Sequence, residues 1–149
     1  MAGVKDLKLW QEAVTLAAEV VRAARHSMRK ERNVFLERLI STASALPESI
    51  AEGYARAAAL DQERLFEGAA RTLSSLETQL AIAKIADLLP GPAVTSILTR
   101  AATVGRLLTG YLTYVERQRT AERDEGLLRI SPAAAASPLR KTLDEIYCA

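Results

Sequence analysis

Residues 22–32, RAARHSMRKER, concentrate positive charge: Arg22, Arg25, Arg29, Lys30 and Arg32 stand against a single Glu31. Cations in this number can contact phosphate, with an affinity that falls as salt rises. They also suit the end of a helix, where the dipole favours positive charge. The other residues able to do chemistry are carboxylates four apart, Glu48 with Glu52 and Glu63 with Glu67. Such pairs can serve as acid and base or as metal ligands. Glu52 and Arg56, and Glu67 and Arg71, share that spacing, so ion pairing on a solvated helix surface competes with the catalytic reading. His26 is the sole histidine, so the Glu-x-x-His motifs of a di-iron bundle cannot both be built in one chain. Nucleophilic triads or pairs would have to use that same His26 at a helix end. No Cys/His cluster offers zinc ligation, and the scattered glycines form no phosphate-cradling loop. The expectation is a non-enzyme without catalytic residues, metal or cofactor.

What must position these residues is a set of apolar stripes at alternating three- and four-residue steps, the mark of helices with one buried seam. The first runs Leu7, Trp10, Val14, Ala17, Val21, Ala24, Met28. The second runs Leu36, Leu39, Ala43, Leu46, Ile50, Gly53, Ala57. The third is Phe66, Ala69, Leu73, Leu76, Leu80, Ala83, and the fourth Val94, Ile97, Ala101, Val104, Leu108, Tyr111, Val115. Asp61 is placed to cap the third helix, with Leu60 and Leu65 as a hydrophobic staple. Pro90-Gly91-Pro92 ends the third helix and opens the fourth. Short connectors predict an antiparallel up-down four-helix bundle, all-α, over residues 1–119. Residues 120–149 read as a flexible, irregular C-terminal extension. ERDEG ends the regular pattern, 131–138 reads as a linker, and Leu139, Leu143, Ile146 and Tyr147 mark a short amphipathic helix.

Composition fits this picture. Of 149 residues, 49% are hydrophobic but only 5% aromatic, which suits close helix packing rather than a β-sandwich. A net charge of +2 excludes binding of nucleic acid by bulk charge alone. The one cysteine, Cys148, cannot form an internal disulfide. The N-terminus is charged and amphipathic, and no apolar run reaches membrane-spanning length, so a cytoplasmic protein with no membrane partner is expected. Leu9, Leu16, Ile40, Ile82, Ile85, Leu98, Leu107 and Leu112 lie off the main stripes and offer a second apolar face for self-association.

The stretch LPESIAEGYAR (46–56) places Pro47 and Gly53 inside one helix. Leu46, Ile50 and Gly53 keep phase with Leu39 and Ala43, so the helix should continue through Pro47 with a kink where the Ala43 carbonyl is freed. Gly53 faces the seam, where lacking a side chain admits a close neighbour. Glu52 should pair with a basic residue or cap a neighbouring helix.

Together these segments resemble a known family. LKLWQEAVTLAAEV (7–20), ALPESIAEGYAR (45–56) and FEGAARTLSSLETQL (66–80) resemble, in order, its LxVWQxAxxLA, SIPxxIAEGxxR and FxxxAxGSLxELETQL segments. It is the bacterial four-helix-bundle family associated with intervening sequences in 23S rRNA genes, and the likeness covers roughly residues 5–117. Trp10, Pro47, Glu52, Gly53, Arg56 and Glu77 are the motif residues that carry it. The resemblance implies an up-down bundle assembling as a ring, usually a homopentamer. The chain is also similar to the accessory protein of diversity-generating retroelements, which binds nucleic acid and a reverse transcriptase. That similarity implies a non-catalytic adaptor for RNA or DNA, the alternative being a protein-interaction or structural module. The family's Gln-Ile-Arg-Arg-Ala-Ala stretch is here Arg38, Leu39, Ile40, Ser41, Thr42, Ala43, so its adjacent arginines are absent. Ala55 likewise replaces the second glycine of Gly-Tyr-Gly-Arg. The candidate nucleic-acid contacts are then Lys5, Lys8, Arg22, Arg25, Arg29, Lys30, Arg32 and Arg38.

Overall fold

Stripes rich in alanine and leucine can be buried only against one another, and the computed structural model, which describes residues 3–129, packs them as four helices. A 3₁₀ turn at Val4–Asp6 leads into α1 (Lys8–Ser27), followed by α2 (Val34–Tyr54), α3 (Ala59–Ile85) and α4 (Gly91–Arg129). No strand occurs among the described residues. Helices α1 and α2, α2 and α3, α3 and α4, and α4 and α1 pack together, closing an all-α bundle around one core. Along α3 and α4, Glu63 meets Arg119, Phe66 meets Tyr111, and Lys84 approaches Gly91, so numbers rise on one helix as they fall on the other.

The stripes assigned to α2, α3 and α4 are the buried ones, with Leu39, Leu46, Ile50, Phe66, Leu76, Leu80, Val94 and Val104 fully enclosed. Ala57 falls beyond the end of α2 and is exposed. In α1 the expected stripe holds only in part: Ala17 and Ala24 are buried and Leu7, Trp10 and Met28 pack half-buried against the core, but the row beside it is the more enclosed. Leu9, Ala13, Leu16, Val20 and Ala24 face the core, whereas Val14 is 37% exposed. Both rows are apolar, and turning the leucine row inward removes more apolar surface from water. It also sets Glu12 and Glu19 against α4, where Arg100 joins both. The second apolar face is correspondingly smaller than expected. Leu9 and Leu16 are core, Ile40, Leu98, Leu107 and Leu112 pack half-buried against it, and only Ile82 and Ile85 stay exposed.

Helix ends follow local chemistry. Asn33 caps α2, its side-chain oxygen accepting from the Leu36 N–H at 3.0 Å. Asp61 does not cap α3, which starts two residues earlier; it sits in the first turn, where a carboxylate favours the dipole. Leu60 is 46% exposed, so the expected staple is not formed. Gln11 and Gln62 each reach back from a helix start to a carbonyl, those of Lys5 and Arg56, at 2.7 Å. Helix α3 ends before the Pro-Gly-Pro sequence: Asp87 turns left-handed at φ 57°, and the Leu88 N–H donates to the Ala83 carbonyl at 2.8 Å.

Helix α2 runs unbroken through the buried Pro47. A Cβ on Gly53 would stand 3.2 Å from the Leu65 Cβ and 3.3 Å from the Phe66 ring, which accounts for glycine there. Helix α4 does not stop at residue 119 but continues to Arg129, so ERDEG is helical. Its glutamates, arginines and leucines are good helix formers that need no buried seam. The loss of periodicity marked the end of burial, not the end of the helix. The linker at 131–138, the short amphipathic segment and Cys148 lie outside the described residues.

Candidate nucleic-acid interface

Helix α1 ends on an outer face rich in arginine. Arg22, Arg25, His26 and Arg29 line one hollow of about 330 Å³, and no carboxylate lines it. Arg22, Arg25 and His26 follow three- and four-residue steps on α1, with Arg29 just past its end, and all four are exposed. None of the three arginines makes an ion pair among the described residues. The helix C-terminus contributes roughly half a negative charge. Three guanidiniums exceed what that dipole needs, so the face stays positive. Guanidiniums placed this way suit phosphate oxygens, which they bind through paired N–H donors.

The remaining candidates separate from this face. Lys5 lies in the 3₁₀ turn and Lys8 opens α1, about 21 Å along the helix from Arg22. Arg32 is tied to Glu37, and that hydrogen bond holds its guanidinium more firmly charged than usual. Lys30 is exposed in the connector beside Arg29. Arg38 faces a different hollow, of about 500 Å³ between α2 and α3, together with Arg71 and Gln79. Arg71 does not pair with Glu67 despite their spacing, whereas Glu52 and Arg56 do pair, at 3.0 Å and mostly exposed.

Arg100 behaves in the opposite way. Its guanidinium donates to Glu19 and to Glu12, each at 2.8 Å, bridging α4 to α1. The Glu19 hydrogen bond, then its charge, raises the arginine's affinity for its proton. Arg119 similarly pairs with Glu63 across α3 and α4. Both Glu52 and Glu63 are therefore held in ion pairs, and Glu48 stands exposed.

The motif residues divide between core and surface. Trp10 packs half-buried against the core. Phe66 and Tyr111 stack edge to face at 4.7 Å, and burial pushes the Tyr111 phenol up. Glu77 is exposed, while Gln79 of the same Leu-Glu-Thr-Gln-Leu motif is 8% exposed with a side-chain oxygen that meets no donor. An unmet buried acceptor costs about 1–3 kcal/mol. Its signal was present in the sequence, since Gln79 stands three after Leu76 and four before Ala83 on the buried stripe. Arg71 is hidden in the sequence by its spacing from Glu67, which suggests an ion pair that does not form.

Among the described residues, no group of three or more His, Cys, Asp or Glu is placed to hold a metal ion, and no helix is long and apolar enough to cross a membrane. A search of curated proteins finds no match to this chain. The profile of the 23S rRNA-intervening sequence protein family, however, matches residues 5–110, spanning the Trp-Gln, Pro-x-x-Ile-Ala-Glu-Gly and Leu-Glu-Thr-Gln-Leu segments. On that match, the chain belongs to the 23S rRNA-intervening sequence protein family.

Proposed function

We propose that this protein is a non-catalytic, ring-forming adaptor that binds RNA or DNA through the cationic end of α1. The observation that carries the reading is the hollow lined by Arg22, Arg25, His26 and Arg29 with no carboxylate among them. Local segregation of this kind attracts phosphate even where net charge is only +2. In a ring of identical chains, several such faces would act on one nucleic acid, multiplying affinity without new contacts. The likeness to the retroelement accessory protein supports a pentamer working beside a reverse transcriptase in the cytoplasm. A bend at Pro47, with antiparallel helices on either side, would set how neighbouring bundles meet.

Fluorescence anisotropy with a structured RNA at low salt tests the proposal. Binding at micromolar concentration or tighter, weakening as salt rises, is expected; absence of binding, or binding indifferent to salt, overturns it. Light scattering that returns a monomer mass at micromolar concentration refutes the ring. A protein-interaction role without nucleic acid is the second reading, favoured by the exposed Leu127 and Leu128 on the part of α4 that extends past the bundle. Deleting residues 120–149 should change the set of captured proteins under that reading and leave it unchanged under the first.

A further inference from the structure

His26 is the one member of the α1 hollow whose charge is not fixed. Arg22, Arg25 and Arg29 line that hollow with it, and guanidiniums stay charged at every ordinary pH. Imidazole is the side chain whose charge ordinarily changes between about pH 5 and pH 8, and His26 is the sole histidine of the chain. It lies in the last turn of α1, next to Arg25 and four residues after Arg22, where that spacing makes neighbours. The residue is exposed, and its ring makes no ion pair among the described residues.

The side chains that face the ring are cationic. Its own segment supplies Arg22, Arg25 and Arg29, with the exposed Lys30 four residues on in the connector. Helices α2, α3 and α4 place no side chain in the hollow. Carboxylates at this end of the bundle are engaged or turned elsewhere. Glu19 is held by Arg100 and Glu37 by Arg32, while Glu31 and Asp87 line a separate hollow beside Ser27. Lys84 of α3 lies against Gly91. A proton on His26 therefore meets no anion of the protein within the hollow. A phosphate seated among the guanidiniums supplies one, and a nearby opposite charge favours the charged form of a titrating group. The imidazolium then donates from both ring nitrogens, where the neutral ring donates from one.

We propose that nucleic-acid binding in the α1 hollow is coupled to uptake of a proton by His26, so that affinity rises as pH falls. This rests on the reading of that hollow as the nucleic-acid site, and adds its regulation by pH. The complex favours the imidazolium, so the bound state carries more proton and affinity is lost as pH rises through the imidazole range.

Two substitutions at this exposed position test the coupling without threatening the fold. His26→Gln leaves a neutral donor and His26→Arg a fixed charge, and both replacements are good helix formers. RNA affinity is measured by anisotropy at fixed ionic strength, at about pH 5.5 and about pH 7.5, on either side of the ordinary imidazole titration. The RNA carries no terminal phosphate, because a phosphomonoester itself titrates at about pH 6. Wild type should bind about fivefold more tightly at the lower pH, the worth of one exposed ion pair. His26→Gln should show the weaker affinity at both pH values, and His26→Arg the tighter affinity at both. Equal wild-type affinity at the two pH values, or a pH response kept in full by His26→Gln, overturns the coupling; binding that still weakens with salt then leaves the α1 reading standing. If wild type binds the RNA at neither pH, both readings fall.

Discussion

Arg100 and the trio Arg22, Arg25 and Arg29 are the same residue type put to opposite uses. Arg100 lies between two carboxylates on the α1–α4 seam, with both hydrogen bonds at 2.8 Å. The trio stands on an exposed face at the C-terminal end of α1 with no carboxylate lining its hollow. Arg38 and Arg71 resemble the trio in lacking partners, though they flank a groove with a buried acceptor. A charge count adds all of these together and returns nearly zero. Pairing divides them: a paired arginine holds helices together, and an unpaired one is free to meet an anion.

Substitutions can separate the two uses. Damage to packing that touches neither set of arginines should be greatest at Gly53. Gly53→Leu should destabilise the bundle by about 3 kcal/mol, because the added side chain must displace Leu65 and Phe66; thermal unfolding reads it. Replacing Arg22, Arg25 and Arg29 together with alanine should weaken RNA binding about 100-fold at low salt, roughly 2.7 kcal/mol, with the melting temperature nearly unchanged. Arg100→Met should do the converse. It leaves Glu12 and Glu19 without their partner on the seam and should lower the melting temperature, with RNA affinity preserved. If Arg100→Met weakened RNA binding as strongly as the triple substitution, the distinction between paired and unpaired arginines would collapse.

The smallest effect lies at the end of α3. Asp87→Gly should stabilise the protein by about 1 kcal/mol, since glycine adopts a φ of 57° without the penalty paid by a side chain. Equilibrium urea unfolding is sensitive enough to see it, and binding should not respond.

The helices were legible in the sequence because apolar spacing follows directly from burial, and α2, α3 and most of α4 face as their stripes indicate. Where two adjacent rows were both apolar, as in α1, spacing could not choose between them. The choice came from another helix, through Arg100 and the greater bulk of Leu9 and Leu16. The extension of α4 was missed because a solvent-exposed helix has no seam to display. Part of the cationic face was legible as a run of arginines in residues 22–32. Its division was not, because whether Arg32 or Arg71 finds a carboxylate depends on side-chain direction. Arg32 turns to Glu37, five residues away and beyond the start of the next helix, whereas Arg71 ignores Glu67 on its own.

The central claim is that phosphate is held by the unpaired arginines of α1 and not by the paired one on the seam. The most direct test is the salt dependence of RNA affinity, measured by anisotropy for wild type, the triple variant and Arg100→Met. The account predicts that the slope of log affinity against log salt falls in magnitude by about 3 in the triple variant and is unaltered in Arg100→Met. Equal slopes in all three proteins would contradict it.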